Sequence, residues 1–157
     1  MDAKRPLLTA EQIMQRNVFT LDPDTQVLDA VQMLLAKCIS GAPVVAEGKV
    51  VGMFSERDCL TVLAAAAYDA EPSGTVAQHM RREFRCIAPE TDLFQISEFF
   101  HENPIRRLPV VDKHKKLVGL VSRGDVLRAL QHVHFFVTKL APPKSAYERI
   151  QEQLEVH

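Results

Sequence analysis

Two stretches share one pattern: glycine, two apolar residues, serine, two variable residues, aspartate. They are Gly52-Met53-Phe54-Ser55-Glu56-Arg57-Asp58 and Gly119-Leu120-Val121-Ser122-Arg123-Gly124-Asp125. Each lies where an apolar strand pattern gives way to helical periodicity. The glycine leaves space beside the strand. The serine falls at a helix N-cap, where backbone N–H groups and the helix dipole favour an anion. The aspartate lies one turn in, and its carboxylate can accept from two adjacent hydroxyls such as those of a ribose. The same spacing also serves a local purpose, because Ser-x-x-Asp at a helix start is a capping box. The residues alone leave both readings open.

The elements that carry these motifs are duplicated. Shifting the chain by 66 aligns Thr9, Gln12 and Met14 with Thr75, Gln78 and Met80. The same shift aligns Pro23 and Thr25 with Pro89 and Thr91, and Ile39, Pro43, Val44 and Val45 with Ile105, Pro109, Val110 and Val111. One extra residue in the following turn makes the shift 67, and Gly52, Ser55, Asp58, Leu60 and Leu63 then match Gly119, Ser122, Asp125, Leu127 and Leu130. The register spans 9–63 and 75–130 and predicts two domains, 9–67 and 75–132, followed by a helical extension over 133–157.

Each copy reads as strand, helix, strand, strand, helix. In the first, Val18 to Leu21 is a short strand ended by Asp22-Pro23, and Thr25 caps a helix. Val27, Ala30, Val31, Leu34 and Leu35 form its apolar stripe. Gly41-Ala42-Pro43 breaks the chain, and Glu47-Gly48 then turns a hairpin between Val44-Val45 and Lys49 to Phe54. Ser55 opens the last helix. The second copy repeats this with Cys86-Ile87, Leu93 to His101, Pro109 to Val111, Leu117 to Val121 and Ser122 to Leu130. Phe94 points away from the arc of Leu93, Ile96, Phe99 and Phe100, which suits either a second interface or one wide core face. In the extension, Ser145 and Glu148 cap a short helix striped by Tyr147, Ile150 and Leu154.

In this order and spacing the copies resemble a tandem pair of cystathionine-β-synthase (CBS) domains. The resemblance rests on the openings Thr20-Leu21-Asp22-Pro23 and Cys86-Ile87-Ala88-Pro89, the central Pro43-Val44-Val45 and Pro109-Val110-Val111, and the two closing Ser-x-x-Asp motifs. It implies an α+β fold of two β-α-β-β-α repeats packed sheet to sheet with pseudo-twofold symmetry and two clefts. It also implies an adenosine-containing ligand: AMP, ADP, ATP, S-adenosylmethionine or NADH. Carried onto this chain, Ser55 and Ser122 contact phosphate or ribose, and Asp58 and Asp125 hold ribose hydroxyls. Thr20, Cys86 and Ile87, with Ala42, Pro43, Val44, Leu108, Pro109 and Val110, wall the adenine.

Charge separates the copies. Residues 13–63 hold four basic and six acidic side chains; residues 79–130 hold ten and seven. Arg106-Arg107 stands where the first copy has Ser40-Gly41, and Arg123 follows Ser122. Guanidinium groups suit phosphate oxygens. The expectation is that the second cleft takes the more charged end of a nucleotide and the first is weaker or empty.

Other chemistry is disfavoured. A hydrophobic content of 46% and charged content of 25% fit a soluble globular chain, and a net charge of −1 gives no support to nucleic acid or an anionic membrane as partner. The basic clusters Arg81-Arg82-Glu83-Phe84-Arg85 and Lys113 to Lys116 read as solvated surface. Cys38, Cys59 and Cys86 form no C-x-x-C and read as reduced thiols of a cytoplasmic protein. No P-loop, nucleophile–base set, catalytic cofactor or metal set emerges. The expected function is a regulatory, energy-sensing homodimer that binds an adenine nucleotide and signals to a separate regulated protein. The alternative is a ligand-free structural dimerisation module; an enzyme is not expected.

Overall fold

A computed structural model describes residues 8–68 and 74–140, with side chains described through residue 134. The elements run α1 Ala10–Ile13, α2 Val27–Ala36, β1 Gly41–Ala46, β2 Lys49–Ser55 and α3 Glu56–Ala66, then α4 Val76–His79, α5 Leu93–Glu102, β3 Arg107–Val111, β4 Leu117–Ser122 and α6 Arg123–Leu140. The order repeats as short helix, helix, hairpin, helix. Each hairpin is a two-stranded antiparallel sheet with a bulge at the same place, Val44/Val45 and Val110/Val111. The hairpins touch through a Lys49–Lys116 bridge. Glu47 and Gly48 both have positive φ, as a two-residue hairpin turn requires.

The expected first strands shrink to one residue each. Leu21 bridges Val44, and Ile87 bridges Val110, both in parallel. The bonds are Leu21 N–H to the Pro43 carbonyl and Val45 N–H to the Leu21 carbonyl, each 2.9 Å. Extending the ladder backwards needs an N–H from Pro43, and proline has none. Pro109 imposes the same limit in the second copy. For the same reason Gly41-Ala42-Pro43 does not break the chain: Pro43 lies inside β1, and its missing donor faces the side where pairing stops, leaving the β1–β2 ladder intact.

The two cores trade elements. One cluster holds Leu21, Val27, Ala30, Leu34, Val44 and Phe54 together with Val76 and Met80 from the second copy. The other holds Leu93, Ile96, Leu108, Val110 and Val121 together with Ala10 and Met14 from the first. Backbone bonds lock the exchange. Val27 N–H donates to Gly74, Val76 N–H to Thr25, and Met53 and Arg81 exchange both bonds at 2.9 Å. In mirror fashion Leu93 N–H donates to Leu8, Ala10 N–H to Thr91, and Gln15 and Leu120 exchange both at 2.9 Å. Sequence periodicity does not reveal α1 and α4, which are too short to show a stripe. Each is opened by a capping box, Thr9 with Gln12 and Thr75 with Gln78.

The exchange corrects two local expectations. Thr25 does not cap α2; Gln26 is the cap, without a side-chain bond, and the Val27 N–H donates instead to the carbonyl of Gly74, just before the second copy. Leu35 is 67% exposed, since at 100° per residue it lies about 80° from Val27, outside the arc that buries Ala30, Val31 and Leu34. Phe94 is 55% exposed on α5, so it does not belong to a single wide core face. α6 continues without a break past residue 132. The expected Ser145–Glu148 helix lies outside the described residues.

At Gly52 and Gly119 the two copies pack closely against each other. A β-carbon on Gly52 would lie 2.5 Å from the Met80 sulfur and 3.0 Å from the Arg81 carbonyl oxygen. One on Gly119 would strike the Met14 side chain and come 3.1 Å from the Gln15 carbonyl oxygen. The space that these glycines leave is therefore filled by a methionine of the other copy. Gly119→Ala and Gly52→Ala should each cost about 1–3 kcal/mol through overpacking, and Met14→Ala or Met80→Ala about 2–4 kcal/mol through a cavity. Urea unfolding checks this, and wild-type midpoints in all four variants would refute it. Burial raises the Cys59 and Cys86 thiol pKa values, with Asp58 raising Cys59 further, whereas Cys38 is exposed. A thiol reagent at neutral pH should label Cys38 at once and Cys59 only on unfolding; equal rates for the two would contradict the described packing.

Candidate functional site

Both Ser-x-x-Asp motifs fold as capping boxes. Ser55 caps α3, and its N–H and hydroxyl donate to Asp58 Oδ2 at 2.8 and 2.9 Å. Ser122 N–H and hydroxyl donate to Asp125 Oδ2 at 2.7 and 2.8 Å. One oxygen of each carboxylate is thus committed locally. The other oxygens differ. Asp58 Oδ1 lies 3.9 Å from Arg81 Nε, a side chain brought in by the exchanged segment after α4. Asp125 Oδ1 accepts from Arg128 Nη2 at 2.6 Å, one turn along the same helix.

A cleft of about 370 Å³ opens beside the first motif. Its walls come from three places: Ser40, Gly41, Ser55 and Arg57 of the first copy, Arg81, Phe84 and Arg85 of the segment after α4, and Pro104 to Arg107 of the second copy. Five arginines face it (Arg57, Arg81, Arg85, Arg106, Arg107) against two glutamates, Glu56 and Glu83. The volume lies in the range of small-molecule sites. Positive charge, a helix N-terminus and apolar surface from Phe84, Ile105 and Leu60 suit a ligand with an anionic end and a flat end.

Three of the residues expected from sequence border this cleft: Ser55, Arg106 and Arg107. Asp58, one turn behind Ser55, is not among its lining residues, and Ser122, Arg123 and Asp125 gather instead at the start of α6, outside the cleft. The Arg106 carbonyl accepts from Arg123 N–H at 3.3 Å, yet Arg106 and Arg107 face the cleft beside Ser55. Arg106 and Arg107, expected to serve a cleft of the second copy, border the cleft beside the first copy's Ser55. The residues expected to wall the adenine lie as follows. Ala42, Val44, Ile87, Leu108 and Val110 turn their side chains into the two cores. Pro43 and Pro109 are buried as well. Thr20 is exposed and Cys86 half-buried, and neither borders the cleft.

Arg81, Phe84 and Arg85 are the residues that sequence reasoning missed, having been assigned to solvated surface. The signal was present in the match of Thr75, Gln78 and Met80 to Thr9, Gln12 and Met14, which marks a repeated element just before them. What that signal lacked was the side of the molecule on which the element docks. Among the described residues no three His, Cys, Asp or Glu gather as a metal set, and no helix is long and apolar enough to cross a membrane.

Comparison with known proteins agrees with this architecture. CBSX2 in complex with AMP superposes with a TM-score of 0.71 at 29% identity, covering 80% of this chain and 98% of that one. CBS domain-containing protein YhcV of Bacillus subtilis is 29% identical over 118 residues, 75% of this chain and 82% of its own length. Inosine-5'-monophosphate dehydrogenase of Thermoplasma acidophilum is 31% identical over 117 residues, 74% of this chain, and this chain spans only 22% of that protein's length. The CBS-domain family profile matches residues 10–65 and 76–132, most of the chain, and with two such repeats exchanging their leading helices the protein belongs to the CBS-domain family.

Proposed function

We propose that this CBS pair is a regulatory module that binds an adenosine phosphate in the cleft at Ser55 and passes its state to a separate protein. The observation that carries the reading is the convergence of five arginines, drawn from both copies, on one cleft of nucleotide size. Guanidinium groups pair phosphate oxygens bidentately, and the α3 N-terminus adds its dipole. Asp58 does not itself line the cleft and its side chain is 13% exposed, with Oδ1 3.9 Å from Arg81 Nε; its assignment to a ribose hydroxyl rests on the family resemblance. Phe84 and Ile105 offer apolar surface to the base. The AMP complex of CBSX2 supports the ligand class. The surplus of arginine favours ADP or ATP over AMP and over S-adenosylmethionine.

Homodimerisation belongs to the same proposal. Leu60 and Leu127 occupy matching positions on α3 and α6 and are 70% and 71% exposed; Leu60 borders the cleft, and Leu127 suits cover by a second copy. The reduced cysteines fit a cytoplasmic setting. The alternative, a structural module without ligand, is favoured by the capping boxes, which give both Ser–Asp pairs a complete local role.

A thermal-shift panel with AMP, ADP, ATP, S-adenosylmethionine and NADH separates the readings. A ligand at 100 times its Kd adds about 2.7 kcal/mol, or roughly 5–10 °C at ~2–4 °C per kcal/mol for this size. ATP should give the largest shift. Arg106→Ala with Arg107→Ala should weaken ATP at least about tenfold, since each charge-assisted bond contributes about 1.5–3 kcal/mol before solvent screening. Unchanged affinity in that variant would overturn the cleft assignment. Asp58→Asn should remove the ATP shift while the apo protein still unfolds cooperatively. If it lowers Tm equally with and without ATP, the carboxylate acts only as a cap and the structural reading stands.

A further inference from the structure

We infer that the tips of the two hairpins form a docking surface for an acidic segment of a partner protein. The inference does not rest on what the arginine cleft binds. The tips meet where Lys49 bridges Lys116, and the Leu117 N–H donates to the Gly48 carbonyl at 3.0 Å. The shift of 67 makes these two lysines the same position of the repeat. Other bridges between the copies come in pairs, Met53–Arg81 with Gln15–Leu120 and Gln26–Thr75 with Thr9–Asp92; Lys49–Lys116 is its own mate and so marks the pseudo-twofold axis. Directly opposed residues on antiparallel backbone hold their side chains close together, and like charges there destabilise. The second copy's turn, one residue longer, carries Lys113, His114 and Lys115, all exposed like Lys49 and Lys116. Among the described residues no carboxylate forms an ion pair with any of these four lysines. Asp112 turns Oδ1 onto its own loop, accepting from the His114 and Lys116 N–H groups at 2.8 and 3.0 Å. Even with Asp112 and the exposed Glu47, the tips are net positive in a chain whose total is −1. A repulsive pair kept on the axis gives up stability at the seam between copies, as functional surfaces do. The side chains select the occupant. Lysine is a hydrated point charge on a flexible stem, which suits solvated carboxylates at varied spacing. Residues 45–50 and 111–118 contain no arginine fork for phosphate and no Phe, Tyr or Trp to stack on bases. Among the described residues no large apolar side chain is exposed there to enter a membrane. β2 runs from Lys49 at the tips to Ser55 at the cleft, roughly 20 Å at ~3.3 Å per residue, so the two surfaces are separate.

Fluorescence anisotropy of a fluorescein-labelled peptide of about ten residues, alternating Glu and Gly, tests this on the full chain. The wild type should bind it at low salt and lose affinity as salt rises, because exposed charges are screened. Lys49→Glu sets opposite charges across the bridge. It should raise Tm by about 1–4 °C and yet weaken the peptide about tenfold. Lys113→Gln with Lys115→Gln should also weaken the peptide, with Tm unchanged. No binding by the wild type at low salt overturns the inference, and so does equal binding by Lys49→Glu. Displacement of the peptide by ATP, or its loss in Arg106→Ala with Arg107→Ala, would seat it in the arginine cleft and overturn the inference as well. Tighter binding of single-stranded DNA or of phosphatidylserine vesicles, lost in Lys49→Glu, would assign the tips to a phosphate-bearing surface in place of a protein. A wild type that binds the peptide but no ATP removes the cleft reading and leaves this one standing.

Discussion

The structure depends on a reciprocal exchange. Each copy of the repeat completes its core with the short leading helix of the other, Val76 and Met80 in one direction, Ala10 and Met14 in the reverse. A unit of ~50 residues buries too little surface to be secure alone. Exchange removes that weakness by making each core the product of both copies. It also explains why the glycines in the Ser-x-x-Asp motifs have no side chain. They are docking points for a methionine, and a β-carbon there meets sulfur and backbone carbonyl together.

The same exchange builds the cleft. After Met80 the chain pairs Arg81 with Met53 through two backbone bonds, which fixes the segment alongside β2. Arg81, Phe84 and Arg85 are thereby delivered to the wall beside Ser55. Charge that looked like solvated surface in a linear reading becomes part of a concentrated positive site. Arg106 and Arg107 reach the same cleft from the opposite side, so the site is defined by contact between copies and belongs to neither alone.

Pseudo-symmetry in the backbone coexists with chemical asymmetry. Bulges, capping boxes and parallel bridges recur at matched positions, down to the proline that ends each bridge. The side chains around the matched carboxylates do not. One carboxylate faces an arginine from a distant segment; the other is held by its own helix. Duplication preserved what the fold needs and left the surroundings of the two carboxylates free to diverge.

The duplication, the hairpins, the long helices and the capping aspartates were legible in the sequence, because each follows from local periodicity or from spacing within a single turn. Pro43 and Thr25 were misread, although both are local residues, because the bonds that decide their roles come from residues distant in sequence. Leu21's single bridge and α2's borrowed cap are consequences of the same kind. The apolar side chains around Pro43 and Pro109 lie in the cores, a placement that strand alternation alone does not give because it does not say which face meets the other copy. The two Ser–Asp motifs themselves were determined by sequence down to their hydrogen bonds. Which arginines face Asp58 and the cleft was settled only when the copies crossed, since Arg81, Arg106 and Arg107 lie tens of positions away from the first motif.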